Sequence, residues 1–173
     1  MTTPSSLAPD PGGGLLDLYD EALPQVYGYL LARCGDVPLA EDLTAECFLA
    51  AVAAVRKPDP PPLNVAWLIG VARHKLVDHW RAREREQRGL RSVRGEQPAA
   101  EDPWDAQLDL IRARDTLARL GPHHRAALTL RYLDGLTVPS VAAQLGRTVH
   151  ATEALLVRAR NAFRRAYTGE EGL

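Results

Sequence analysis

Two stretches of the chain carry the residue types that bind nucleic acid. Residues 63–94 hold eight basic and three acidic side chains together with Trp67 and Trp80, and residues 111–173 hold ten basic and five acidic ones. Nearly all of these cations are arginines, whose planar guanidinium suits phosphates and base edges. Aromatic rings beside cations also suit unpaired bases, which stack on them. The alternative is a helix with core tryptophans and a solvated arginine face, and composition alone does not separate the two.

A third stretch, 40–48, carries the carboxylates Glu41, Asp42 and Glu46. Paired carboxylates can act as general acid and base. Here no nucleophile or cluster of metal ligands accompanies them. We expect a docking face for a protein partner, with Leu43 and Phe48 beside the acids. The alternative is that the acids only stabilise the positive end of a helix dipole.

The remaining composition excludes several function classes. Five histidines and four serines form no metalloprotease, nucleophile-elbow or phosphate-loop pattern. The two cysteines, Cys34 and Cys47, have no zinc-like spacing and are expected to be buried thiols. We therefore expect no enzyme activity, no metal and no cofactor. Neither a membrane span nor a signal peptide is apparent, which predicts a cytoplasmic protein.

Helical periodicity and turn signals predict an all-α fold of two small helical domains joined by a flexible linker. The predicted helices span residues 15–33, 39–55, 65–88, 105–120, 122–133, 138–145 and 149–167. The predicted organisation is a disordered tail at 1–14, a first domain at 15–88, a linker at 89–104 and a second domain at 105–167.

The strongest local pattern predicts a helix-turn-helix at 137–165. Gly146 permits the sharp turn between a short helix and a longer basic helix. The first turns of the second helix would enter the major groove and present Thr148, His150, Thr152 and Glu153 to base edges. Arg147, Arg158 and Arg160 suit phosphates, which position the protein without specifying sequence. The alternative is a helical hairpin with a solvated basic face.

Charge is segregated along the chain. The net charge of −1 conceals −6 over residues 1–62, +5 over 63–94, −5 over 95–110 and +5 over 111–173. Since fields are screened beyond about 8–10 Å in physiological salt, a partner meets the local patch rather than the sum. Each basic block coincides with one of the two stretches suited to nucleic acid.

The order of motifs resembles the bacterial RNA polymerase sigma factors of the extracytoplasmic-function group, over about 150 residues. In the first half the matching segments are Tyr19-Asp20-Glu21, Ala40-Glu41-Asp42-Leu43 with Glu46 and Phe48, and Ala66-Trp67-Leu68-Ile69-Gly70-Val71-Ala72-Arg73 with Asp78 and Arg81. In the second half they are Leu120-Gly121-Pro122 with Arg125, Leu130-Arg131-Tyr132, Gly135-Leu136-Thr137, Val141-Ala142, Leu145-Gly146 and Arg158-Ala159-Arg160.

The resemblance implies a division of labour between the domains. It implies that the first binds core RNA polymerase through Glu41, Asp42, Leu43, Glu46 and Phe48. The same domain would recognise and help melt the minus-ten promoter element, and we expect the contacts from Asn64, Trp67, Arg73, His74, Lys75, Asp78, His79, Arg81 and Arg83. The second domain would bind the minus-thirty-five element through the 148–165 helix. An anti-sigma partner is common in the family, although no residue here identifies one.

The alternative function is a conventional helix-turn-helix regulator whose N-terminal domain dimerises or senses a ligand. It would account for the 137–165 pattern. It leaves the acidic segment followed by a Trp/Arg-rich helix unexplained.

Overall fold

The computed structural model describes residues 11–90 and 110–169, and within these ranges every regular element is helical. A π-helical segment, Thr129–Leu133, directly follows the fifth helix. The α-helices are α1 (Pro11–Cys34), α2 (Val37–Val55), α3 (Val65–Leu90), α4 (Leu110–Arg119), α5 (Pro122–Leu128), α6 (Val138–Leu145) and α7 (Val149–Thr168). The predicted all-α class and the helix-turn-helix, here α6 and α7, are confirmed.

Several predicted limits shift. Helix α1 begins at Pro11, four residues before the predicted start, and α3 continues through Gly89 and Leu90, where a linker was expected. The predicted 122–133 helix is α5 followed by the π-helical segment. The rest of the predicted tail and linker lies outside the described residues. So does the predicted start of the fourth helix at residue 105.

The chain divides into two compact units between Lys75 and Leu76, inside α3. In the first unit, α1 packs on α2, and the two are joined by Gly35 and Asp36. The Asp36 carboxylate accepts a hydrogen bond from the Leu39 amide at 2.9 Å and so caps α2. Val26, Leu30 and Cys47 are fully buried, because apolar residues three or four apart lie on one helix face. This packing leaves the acidic positions of α2 at the surface.

In the second unit, α4, α5 and α6 all pack on α7. Leu117, Leu128, Ala159 and Phe163 form one buried cluster. Gly146 ends α6 in the left-handed conformation, with φ 62°, and the Arg147 amide donates to the Ala142 carbonyl at 2.9 Å. This closure turns the chain directly into α7.

An ionisable side chain, His124, lies in the interior of the second unit. His124 is 8% exposed, and its Nε2 has no hydrogen-bond partner among the described residues. Its ring lies 4.0 Å from that of His123, centroid to centroid. Burial, together with the neighbouring His123 and Arg158, lowers the pKa of His124 to about 4. His124 is therefore neutral at pH 7.

Replacing Gly146 by alanine should destabilise the second unit by about 1–2 kcal/mol, because a Cβ atom is strained in the left-handed region. The added Cβ would also stand 3.0 Å from Arg81 Nη2, which must move. Denaturant unfolding of the full chain measures the loss. Gly28→Ala is the control: it lies inside α1, its added Cβ meets no atom within 4 Å, and it should be stabilising. A Gly146→Ala protein as stable as the parent would contradict the turn.

Acidification should destabilise the fold through His124. Between its unfolded pKa near 6.5 and its folded pKa of about 4, the unfolded chain binds the proton and the native chain does not. The contribution is therefore fully present above pH 6.5 and is lost as the pH falls to about 4, amounting to about 3 kcal/mol. Urea unfolding at pH 7.5 and pH 4.5 should show a smaller pH-dependent loss for His124→Leu than for the parent. Equal losses would count against this role.

Candidate functional site

The acidic side chains of α2 form an exposed edge, whereas their apolar neighbours lie underneath. Glu41, Asp42 and Glu46 are exposed. Leu43 and Phe48 are 5% and 8% exposed, and the Phe48 ring meets the Tyr19 ring edge-on at 4.7 Å. Leu43 faces the core, whereas the small exposed part of Phe48 lines an apolar groove between α1 and α2. Contact of either side chain with a partner stays a prediction.

The apolar groove runs beside this acidic edge and was not predicted from the sequence. It encloses about 580 Å³ between α1 and α2. Leu16, Tyr19 and Leu49 are 69%, 41% and 67% exposed, and all three line it. Glu41 also lines the groove, so the charged edge and the apolar surface are continuous. Exposed large apolar side chains gathered in one place mark interaction sites.

An ion pair joins the acidic edge to α3: Lys75 Nζ lies 3.1 Å from Glu46 Oε2. Both partners belong to the first unit. Beside them, burial raises the pKa of the Cys47 thiol to about 11, with Lys75 opposing and Glu46 reinforcing the shift. Cys47 is therefore a protonated, inert thiol at neutral pH. In the free protein the Lys75 ammonium is therefore held in its ion pair with Glu46.

Asn64 and Trp67 mark the start of α3. The Asn64 side-chain oxygen accepts a hydrogen bond from the Trp67 amide at 2.8 Å, so Asn64 caps the helix. Trp67 is half-buried, and its neighbour Leu68 is fully buried. The indole therefore keeps part of its ring at the surface. Asn64 is exposed, but its oxygen is already occupied.

The exposed face of α3 carries a charged stripe at three- and four-residue spacing. Its members are His74, Asp78, Arg81, Arg85 and Arg88, all of them exposed. Arg81 Nη1 lies 3.8 Å from Asp78 Oδ1. Arg85 and Arg88 were not among the residues predicted to contact DNA, although helical spacing from Arg81 identifies them.

The other predicted α3 contacts lie off the stripe. Arg73 and His79 are half-buried, whereas Arg83 is exposed.

The start of α7 presents a smaller set of side chains than predicted. Thr148 caps α7, accepting from the Ala151 amide at 3.1 Å, while His150 and Glu153 are exposed. Thr152 is fully buried and its hydroxyl donates to the Thr148 carbonyl at 2.9 Å. Thr152 therefore belongs to the core, and we remove it from the base-contacting set. Val149, which is 43% exposed, was missed.

The predicted phosphate-binding arginines of α7 are half-buried. Arg160 Nη1 donates to the hydroxyl of Tyr132, a residue of the π-helical segment, at 3.2 Å. Arg147 lies in the turn before α7, and Arg158 lies near the middle of α7. These side chains border the helix face that carries His150 and Glu153 and could fix its orientation on a duplex.

A polar cluster lies in the second unit. His123 Nδ1 is 2.7 Å from Glu84 Oε2, and Arg88 Nε is 3.1 Å from Glu84 Oε1. Burial opposes ionisation of Glu84, but His123 and Arg88 outweigh it and lower its pKa. Burial also lowers the pKa of His123 despite the attraction of Glu84. A neutral imidazole therefore donates from Nδ1 to a carboxylate at pH 7.

Among the described residues, no group of three or more histidine, cysteine or acidic side chains could hold a metal ion. No described helix is both long enough and apolar enough to cross a membrane.

Comparisons with known proteins match two segments of the chain to two family models. The Sigma-70 region 2 family model matches residues 18–86, and the Sigma-70 region 4 model matches residues 110–163. Together these matches cover most of the chain. They bear out the resemblance on which the division of labour was expected.

Curated relatives of the chain are sigma factors too. The chain is 32% identical over 150 residues to the ECF RNA polymerase sigma factor BldN of Streptomyces coelicolor, covering 82% of this chain but only 56% of that protein. It is 32% identical over 152 residues to the probable RNA polymerase sigma-C factor of Mycobacterium bovis, covering 87% of this chain and 82% of that protein.

The fold is similar to that of the sigma factor RpoE, solved in complex with the anti-sigma factor NepR from Bartonella quintana. The TM-score is 0.53 at 22% identity, over 90% of this chain and 97% of that one. The exposed acidic edge, the arginine stripe and the helix-turn-helix thus occur in a chain that belongs to the extracytoplasmic-function RNA polymerase sigma factors.

Proposed function

We propose that this sigma factor binds core RNA polymerase and directs it to promoters through three separate surfaces. The observation that carries the proposal is their order along one chain: an acidic edge with an apolar groove, an arginine stripe with a tryptophan, and a helix-turn-helix. A conventional helix-turn-helix regulator is not favoured, because the region 2 match spans residues 18–86.

The polymerase-docking surface combines the acidic edge of α2 with the groove between α1 and α2. Glu41, Asp42 and Glu46 steer a basic partner by charge complementarity. Tyr19 and Leu49 supply the apolar area that makes such a contact persist. Leu43 and Phe48 contribute from beneath, as positioning residues.

The minus-ten surface lies on α3. The exposed part of Trp67 offers a stacking platform, and arginines on the same helix attract the phosphate backbone. His74, which is exposed, is placed for contact with a separated strand. Lys75 becomes available only if its pair with Glu46 opens. Arg73, Asp78, His79, Arg81 and Arg83 complete the proposed set, and Asn64 serves mainly as the cap.

The minus-thirty-five surface is the N-terminal part of α7. His150 and Glu153 lie on its exposed face, where imidazole and carboxylate can meet base edges. Thr148 orders the helix start. Arg147, Arg158 and Arg160 hold the phosphates and set the depth of insertion.

Core polymerase and promoter DNA are the proposed partners, and they place the protein in the cytoplasm. The proposed role is regulatory, without enzymatic activity of its own. The RpoE structure contains the anti-sigma factor NepR. A partner of that class for this chain stays a prediction.

Removing two charges from the acidic edge should weaken polymerase docking. The double variant Glu41→Ala with Asp42→Ala is expected to bind core polymerase at least about tenfold more weakly, since interfacial charges contribute affinity as well as association rate. Fluorescence anisotropy with labelled full-length protein measures this. Both residues are exposed, so the fold should be retained.

The matched control for the acidic edge is Asp59→Ala, an exposed acid outside the groove. Its affinity for core polymerase should equal that of the parent. Equal weakening in both proteins would mean that net charge rather than this surface governs binding.

Replacing Glu153 by alanine should relax preference at one base pair of the minus-thirty-five element, by about 1–3 kcal/mol of discrimination. Replacing Arg165, which is exposed near the end of α7, should instead weaken binding to all sequences alike. Holoenzyme binding to a library of promoter variants measures both. A uniform loss for Glu153→Ala would refute base contact by this residue.

A further inference from the structure

A cavity of about 340 Å³ in the second unit is unusually rich in guanidinium groups. Arginines from the end of α3 meet the turn before α7, and the floor is apolar. The lining residues are Trp80, Arg81, Glu84, Arg85, Arg88, His123, Ala126, Leu145, Gly146, Arg147 and Leu155. Four arginines thus face one space with a single carboxylate.

The carboxylate does not balance this charge. Glu84 is shared between Arg88, at 3.1 Å, and His123, at 2.7 Å. Arg85 and Arg147 form no ion pair with any residue that the structure describes. Burial and then repulsion from Arg88, partly offset by Glu84, lower the pKa of Arg147. The cavity therefore carries an uncompensated positive charge that an anion would relieve.

The backbone at the turn brings two of these arginines together. Arg81 Nη2 lies 3.0 Å from the position that a Cβ of residue 146 would occupy. Because glycine has no Cβ, the Arg81 guanidinium can lie against the backbone at Gly146, directly before Arg147. A concave space with several guanidinium forks suits an anion that offers many oxygens in a short length.

We propose that this cavity binds a small polyphosphate anion, either inorganic or the phosphate chain of a nucleotide. The volume is at the low end of the range for ligand sites, which fits a two- or three-phosphate chain. Arg85 and Arg147 would hold it from two sides. Arg88 would join them as it exchanges Glu84 for phosphate.

The site has a consequence for promoter binding, and that consequence rests on the proposed function. Arg81 and Arg147 belong to the surfaces proposed for the minus-ten and minus-thirty-five elements. A polyphosphate held between them would compete with DNA for both. The anion would therefore act as a brake on promoter binding by the free factor.

Isothermal titration of the full chain with sodium tripolyphosphate tests the site without polymerase or DNA. One anion should bind per chain. Arg85→Ala and Arg147→Ala should each weaken binding about tenfold, since a charge-assisted hydrogen bond is lost. Arg114→Ala, an exposed arginine of α4 outside the cavity, is the matched control and should leave the affinity unchanged.

Glu84→Gln should change the affinity for tripolyphosphate in the opposite direction. This separates an effect on the anion site from a general loss of structure. Removing the one carboxylate that lines the cavity should tighten tripolyphosphate binding, by about threefold or more. Circular dichroism checks that each variant is folded. No binding by the parent, equal weakening by Arg114→Ala, or weaker binding by Glu84→Gln would each overturn the proposal.

ATP in place of tripolyphosphate distinguishes the two sources of the phosphate chain. Tighter binding of ATP indicates a nucleotide, and equal or weaker binding indicates an inorganic chain. Promoter-directed transcription with the same proteins is a separate readout. If tripolyphosphate binds but no transcription occurs, the proposed function fails alone. If transcription occurs but no anion binds, only the polyphosphate site fails.

Discussion

The cost of removing guanidinium groups from water is the constraint on which the rest of this structure depends. An arginine can enter the interior only with its charge paired and its donors satisfied. Helix α3 meets this constraint by burying Leu68, Ala72 and Trp80, while its arginines are exposed or, at Arg73, half-buried. Helix α7 buries Leu155 and Phe163, and its arginines are half-buried or exposed. Both helices therefore keep a cationic surface because of how they fold.

That constraint explains why a chain of net charge −1 can bind DNA. In the first unit Glu41, Asp42 and Glu46 lie on the exposed edge of α2, and in the second unit Glu84 is already engaged by Arg88 and His123. Screening confines each field to its neighbourhood. The surfaces proposed for promoter DNA and for polymerase can thus carry opposite charge on one small protein. Neither proposed contact requires the whole chain to have a net positive charge.

Local signals were sufficient to predict the framework. Gly146 between two helical patterns, and threonines at 137 and 148, predicted the helix-turn-helix, and the structure shows both threonines as caps. Each of these features depends on a few neighbouring residues. Helix ends were less accurate: nothing local stops α3 at residue 88, and the exposed Gly89 simply extends the last turn.

Burial within a helix could not be predicted as well. Leu43 and Thr152 were assigned to binding surfaces, yet both face inward, and Phe48 keeps only a small exposed part, at the groove. A rotation of about 100° per residue separates a core position from an exposed one, and tertiary packing decides which it is. The same difficulty concealed Leu49 and Tyr19, whose exposure creates the groove.

Contacts between distant parts of the chain were beyond the sequence for a different reason. The Glu84–His123 hydrogen bond joins residues 39 positions apart, and no periodic pattern in the sequence predicts it. Its chemistry still follows from simple terms: burial keeps the imidazole neutral, and the neutral ring donates to a carboxylate that two neighbours keep ionised. Glu84 also attracts Arg147, but this attraction only partly offsets burial and the repulsion from the neighbouring arginines. On the proposed DNA-binding surfaces, this imbalance would hold an anion by charge and would let one anion be exchanged for another.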